Sequence, residues 1–170
     1  QAMVFGNSGG DSGTGVAFTR DPVTGRNELY VDFLYNAQGE DLVAGIRNPE
    51  TGEALKRELP DVYTTLQEIR ARLETTMRDM QDIEFTVEDG ELYLLQTRNG
   101  KRSARAALKI AVDLVKEQMI SKDEAIARLR DLDPGKLTST VLKTEAAPQP
   151  LSAAYPASAG VAVGRVALSS

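Results

Sequence analysis

From Pro60 to Met80 the apolar residues Val62, Leu66, Ile69, Leu73, Met77 and Met80 recur at steps of four, three, four, four and three, with charged residues between them. That spacing keeps one apolar stripe and predicts an amphipathic helix with Pro60 in its first turn. The pattern repeats over residues 103–118, SARAALKIAVDLVKEQ, through Ala107, Ile110, Ala111, Leu114 and Val115. A third helix is predicted from Ser121 to Leu132, where Ser121 and Glu124 have the spacing of a capping box. Ahead of the helices lie three β-prone pieces, AMVF, GVAFTR and ELYVDFLY, separated by NSGGDSGT and DPVTGRN. These read as strands and turns, with Pro22 and Gly25 suited to the DPVTG turn. The stretch NAQGEDLVAGIRNPETGEAL is rich in Gly, Asn and Pro and predicts an irregular excursion. Beyond DPGKL, TSTVLKTEAAPQP has linker composition and PASAGVAVGRVAL resumes as a strand after a turn, so a boundary is expected near residue 150.

The segment DIEFTVEDGELYLLQTR, residues 82–98, predicts a β-hairpin whose register decides its chemistry. A two-residue Asp89-Gly90 loop of type I′ pairs Glu84 with Leu95 and Ile83 with Gln96, which sends Glu84 and Gln96 to opposite faces. A three-residue loop, Glu88-Asp89-Gly90, with Gly90 in a G1 bulge, pairs Asp82 with Gln96 and Phe85 with Tyr93. In that register Asp82, Glu84, Gln96 and Arg98 share one face, and Ile83, Phe85, Val87, Tyr93, Leu95 and Thr97 form the other. Two carboxylates and an amide oxygen are hard ligands of the kind Mg²⁺ takes beside phosphates, and Arg98 offers a planar fork to a phosphate oxygen. A solvated sheet face with an Asp-Arg cross-strand pair explains the same residues without a ligand. In SGTGVAF, glycines let backbone amides approach an anion and Thr14 adds a hydroxyl, though no lysine follows as in a Walker loop. A Gly-Ser-rich turn needs no such role.

Composition narrows these options. The 170 residues hold 41% hydrophobic and 26% charged side chains, an ordinary globular balance, and the net charge of -5 opposes a nucleic-acid footprint. No cysteine is present, which removes disulfides and thiolate metal sites. No run approaches a membrane span and no leader is evident, so a soluble cytoplasmic protein is expected. The absence of histidine removes the commonest general base and phosphoryl acceptor, so any histidine chemistry must come from another domain or chain. Glu40 and Asp41 could support metal or nucleotide from behind, or stand solvated. The basic run Lys101, Arg102, Arg105 and Lys109 reads as a solvated or interdomain face.

DIEFTV followed by LYLLQTRNGKR resembles the nucleotide-binding hairpin of the pyruvate phosphate dikinase family, whose N-terminal domain is of the ATP-grasp kind. FGNSGGDSGTGVAFTRDPVTG, NAQGEDLVAGIR and RSARAALKIAVDLV extend the likeness. YPASAGVAVGRV resembles the opening of the swivelling phosphohistidine domain, with Ala159 where proline is common in the family. The resemblance implies an α+β fold, an ATP-grasp-like antiparallel sheet with packed helices followed by a helical extension. It divides the chain into residues 1–101 of the nucleotide-binding domain, 102–148 of extension and linker, and 149–170 at the start of the phosphohistidine domain. It implies part of a phosphotransferase that makes phosphoenolpyruvate, AMP and pyrophosphate from pyruvate, ATP and phosphate, through a phosphohistidine on another domain of the same parent chain. A homodimeric parent with Mg²⁺ as cofactor, and no turnover by this segment alone, are expected on the same ground. Asp82, Glu84 and Gln96 would face ATP, with Glu84 and Gln96 holding the metal; Thr14, Gly15 and Arg98 would face inorganic phosphate. No residue of the chain is expected to be catalytic in its own right. The alternatives are the related phosphoenolpyruvate synthase, which uses water in place of phosphate, and a non-catalytic interdomain scaffold.

Overall fold

The computed structural model describes residues 3–44 and 47–138, with isolated positions 143, 149, 161 and 164. In chain order the elements are β1 (Gly13–Phe18), β2 (Tyr30–Tyr35), α1 (Gly39–Ala44), β3 (Glu50–Thr51), α2 (Gly52–Glu58), α3 (Pro60–Met77), β4 (Gln81–Glu88), β5 (Glu91–Asn99), α4 (Ala104–Lys116) and α5 (Lys122–Arg128), followed by a short 3₁₀ turn at Pro134–Leu137. The strands form one sheet in the order β3-β2-β1-β4-β5, antiparallel throughout. This is the α+β arrangement expected from the sequence.

Alternation along the strands makes the sheet two-sided. Ala17, Val31, Phe33, Ile83, Phe85 and Val87 form a buried core with Leu55 of α2 and Val62 and Leu66 of α3. The stripe on α3 therefore does what its spacing predicts from Val62 to Leu73, with Ile69 and Leu73 half-buried against the same core, whereas Met77 at the helix end is exposed. The helix stops at Met77 because Arg78 takes a left-handed φ of 56° as its C-cap, so Met80 lies beyond it in a second core. That second core gathers Met80 with Ala106, Ile110, Ala111 and Leu114 of α4, Ile120, and Ala125 of α5, and Phe18 packs against it.

The glycines of SGTG serve the first core. Phe33 and Phe85 stack with centroids 5.8 Å apart, and a Cβ on Gly15 would stand 2.5 Å from the Phe85 ring. Gly15→Ala is therefore expected to destabilise the fold by about 1–3 kcal/mol through overpacking. Urea unfolding reads this, and a loss below about 0.5 kcal/mol, the ordinary range for a surface substitution, would show that the ring gives way freely.

Three fastenings tie α4 to the sheet. In the DPVTG turn Asp21 Oδ1 accepts from the Val23 and Thr24 amides at 2.7 and 2.8 Å, and Gly25 has φ 75°. The turn then seats the start of α4: the Pro22 carbonyl accepts from the Ser103 amide at 2.9 Å, and Ser103 Oγ donates to the Val23 carbonyl at 2.7 Å. At the far end of α4, the wholly buried Arg20 donates to Glu74 of α3 at 3.0 and 2.9 Å and to Glu117 at 3.2 and 2.6 Å. Burial alone opposes the Arg20 charge, but the two carboxylates outweigh it and hold the proton more firmly than usual. The third fastening is Asp79 with Arg102, at the root of the β4–β5 hairpin.

Several sequence expectations need correction. Residues 3–5 form no strand; the AMVF piece was expected to be one on β-propensity alone, and nothing in the sheet pairs with it. The stretch expected to be irregular holds α1, β3 and α2, elements too short to show a period. Ser121 Oγ accepts from the Glu124 amide at 3.1 Å, but the Glu124 carboxylate binds Arg78 and Arg128, so only half of the capping box forms. The expected strand in PASAGVAVGRVAL and the boundary near residue 150 lie outside the described residues, apart from isolated positions.

Candidate functional site

The β4–β5 hairpin turns through Asp89 and Gly90, with φ values of 50° and 80°, the left-handed pair that a two-residue type I′ loop requires. Glu88 pairs with Glu91, Val87 with Leu92, Thr86 with Tyr93 and Phe85 with Leu94. Of the two loops weighed from the sequence the two-residue one forms, and the three-residue loop with its Asp82–Gln96 pairing does not. A bulge intervenes instead between Glu84 and Phe85, leaving Leu95 as the surplus residue of β5. Past it, Glu84 pairs with Gln96, Ile83 with Thr97, Asp82 with Arg98 and Gln81 with Asn99. Asp82, Glu84, Gln96 and Arg98 therefore share one face as expected, but through a mid-strand bulge. The two-residue turn sends Tyr93 to the Thr86 side and the bulge leaves Leu95 exposed, which corrects two members of the expected apolar face.

On this face the four side chains differ in access. The Asp82 side chain is only 6% exposed and accepts from Arg98 Nε at 2.7 Å. The Glu84 side chain is 40% exposed, with Oε1 3.5 Å from Arg98 Nη2, and Arg98 itself is 52% exposed. The hydrogen bond and charge of Asp82 raise the Arg98 pKa. Asp82 thus lies under the guanidinium and aims it, whereas Glu84, Gln96 and the outer edge of Arg98 meet solvent. Val16 of β1 lies beside Glu84, and Phe18 beside Asp82, which closes that flank with apolar surface.

Thr14 and Gly15 are placed differently. Thr14 pairs with Thr86 on the same face, four residues along β1 from Phe18 and two strands across from Arg98. That separation is roughly 13 Å along the strand and 10 Å across, too far for one small anion to touch both. Thr14 is 4% exposed and its hydroxyl donates to the Phe85 carbonyl at 3.4 Å. Gly15 faces the opposite side, against Phe85, and can offer the site only backbone. Glu40 is exposed on α1, and the Asp41 carboxylate accepts from the Gln38 amide at 2.8 Å. No group of three or more acids that could by itself hold a metal occurs among the described residues.

Sequence reasoning missed the supports behind the face. Arg102, read as part of a solvated run, forks onto Asp79 with both contacts at 2.7 Å. Burial pushes the Asp79 carboxyl up, but Arg102 outweighs it and holds the group below the usual carboxylate range. The spacing of Asp79 and Arg102, three residues before Asp82 and four after Arg98, is the signal that could have revealed the pair.

Residues 1–65 and 53–119 match the family model described as pyruvate phosphate dikinase, AMP/ATP-binding domain. The chain is 50% identical over 168 residues to pyruvate, phosphate dikinase of Clostridium symbiosum and 47% identical over 182 residues to that of Rhizobium meliloti. It is 47% identical over 171 residues to pyruvate, phosphate dikinase 1, chloroplastic, of Zea mays. These matches cover 98%, 100% and 98% of the chain but 19%, 20% and 18% of the relatives, so the chain spans about a fifth of their length. With the nucleotide-binding model matched across most of the sequence and near half of all positions identical along it, the chain belongs to the pyruvate phosphate dikinase family.

Proposed function

We propose that this chain is the ATP- and phosphate-binding part of a phosphotransferase that forms phosphoenolpyruvate, AMP and pyrophosphate from pyruvate, ATP and phosphate. The phosphoryl group travels on a histidine of another domain of the parent chain, since none is present here. Family membership supports the reaction class, and one observation carries the site: Glu84, Gln96 and Arg98 lie together on an accessible sheet face. Residues 1–101 belong to the nucleotide-binding domain, 102–148 to the extension and linker, and 149–170 to the next domain. The parent is a cytoplasmic homodimer with no nucleic-acid or membrane partner. In support, the net charge is -5 and no helix among the described residues is long and apolar enough to cross a membrane.

Phosphoryl transfer depends mainly on positioning and charge neutralisation, so oxygen ligands and a fixed cation suffice where no strong base is present. The group Asp82, Glu84 and Arg98 carries a net charge of -1, which alone repels a polyphosphate. A divalent cation reverses that sign. Glu84 and Gln96 oppose each other on one rung with exposed oxygens, a donor pair suited to Mg²⁺ that leaves its other positions to water and phosphate oxygens. Mg²⁺ bound there would supply neutralisation of the developing phosphate charge. Asp82 aims Arg98 toward phosphate at one end of the face.

Calorimetric titration of the 170-residue chain with ATP tests this. Saturable binding is expected with Mg²⁺ and not without it, and Glu84→Ala should abolish it. Equal binding by the folded Glu84→Ala chain, or none by the folded parent chain, would overturn the assignment of a preformed half-site to this face.

A further inference from the structure

Two registers meet in the β4–β5 hairpin. The type I′ turn sets the pairing from Glu88–Glu91 to Phe85–Leu94, and a two-residue turn dictates that same register along the whole hairpin. Carried through, it would pair Glu84 with Leu95 and Asp82 with Thr97. Gln96 and Arg98 would then turn to the opposite face. The root half instead runs one residue longer, from Glu84–Gln96 to Gln81–Asn99, and Leu95 absorbs the difference.

Hydrophobic patterning, which ordinarily pins register, acts only weakly here: the slip would bring Gln96 and Arg98 opposite Ile83 and Gln81 in place of residues that are themselves polar. On the root half of β5 the residues opposite Ile83 and Gln81 are Thr97 and Asn99, neither of them apolar. The pins must be polar, and they cluster at the root. Arg102 Nη1 and Nη2 fork onto the two oxygens of Asp79, and Arg102 Nε donates to the Gly100 carbonyl at 3.1 Å. The Gly100 amide donates to the Met80 carbonyl at 2.9 Å. The Gln81 side-chain amide donates to the Asp79 and Met80 carbonyls and to Asn99 Oδ1. A shift of β5 by one residue would break the alignment of this set. Asp79 and Arg102 are both largely shielded, at 16% and 17% side-chain exposure, so their fork is held in a medium where it is worth more than a surface pair.

We infer that the Asp79–Arg102 pair is a positioning device: it holds the long register at the hairpin root and so keeps Gln96 and Arg98 on the face of Glu84. The functional meaning of that placement rests on the reading of the face as an ATP and phosphate site; the register itself does not. A pair that merely added stability would weaken the fold when broken and leave the pairing unchanged. A register lock predicts a changed pairing, and it predicts a specific repair. Deleting Leu95 makes the register of the turn and that of the root the same, so Gln96 and Arg98 stay in place without the fork.

The test is cross-strand nuclear Overhauser contacts in the isotope-labelled 170-residue chain, with Mg·ATP affinity measured beside them. Wild type is expected to show the Glu84–Gln96 contact. Arg102→Ala is expected to show the Glu84–Leu95 contact and a loss of affinity of at least about tenfold, the usual result of losing a group that supports metal-holding residues from behind. Arg102→Ala with Leu95 deleted should recover both the Glu84–Gln96 contact and the affinity. Should Arg102→Ala fail to fold, Arg102→Lys, which keeps the charge without the fork, is expected to populate both pairings. Retention of Glu84–Gln96 as the sole pairing in folded Arg102→Ala or Arg102→Lys with Leu95 present overturns the inference, as does recovered pairing without recovered affinity in the Leu95-deleted variant. If wild type binds no ATP, the contacts still decide the register, and only the functional reading of the face falls.

Discussion

Replacing Arg20 with alanine is expected to destabilise the fold by about 3–5 kcal/mol, the range for removing one partner of a buried ion pair. The guanidinium is wholly buried, and its loss strands the Glu74 carboxylate, whose side chain is only 6% exposed. Glu117 is less affected, because 30% of its side chain meets solvent and Asn27 still donates to it at 3.1 Å. Urea unfolding gives the number directly. The triple variant Arg20→Met, Glu74→Leu, Glu117→Met separates two explanations. Removing all three charges should recover most of the loss, since the cost lies in orphaned charge and not in missing attraction. A loss in Arg20→Ala below about 1 kcal/mol would mean that water reaches the glutamates readily, as at an exposed pair.

In a full-length pyruvate phosphate dikinase carrying this segment, Glu84→Ala is expected to lower kcat by roughly 10²-fold or more, about 3 kcal/mol of transition-state stabilisation. The expectation follows from access: the Glu84 side chain is open and meets Arg98 only at 3.5 Å, whereas Asp82 lies enclosed under the guanidinium. Steady-state kinetics with ATP and phosphate varied separately would read it. Unchanged kcat would favour the scaffold reading, in which the polar face only docks a neighbour.

The sequence revealed these features unevenly, and the reasons are physical. The α3 stripe was legible because Val62 and Leu66 face one continuous core, so spacing and burial coincide. The shared face of Asp82, Glu84, Gln96 and Arg98 was legible as a set, but the device that creates it was not. Loop length and strand bulge shift register by the same amount, and nothing in LYLLQTR marks Leu95 as surplus. Arg20 was invisible because arginine in a TRDP stretch reads as a surface residue; its burial depends on Glu74 and Glu117, far away in sequence. The glycines of SGTG pointed toward anion binding by local chemistry, whereas Gly13 and Gly15 face the rings of Phe33 and Phe85. Local composition cannot report a partner that only the sheet brings near.

The bulge at Leu95 also bears on solubility. β5 is a nine-residue strand at the sheet edge, with Leu94 and Leu95 exposed side by side. A straight edge of that length is a template on which a second molecule can pair and start an aggregate. The surplus residue interrupts the row of amides and carbonyls at that apolar spot and increases the local twist. The same irregularity that turns Gln96 and Arg98 toward Glu84 thus shields the protein from adding strands to itself.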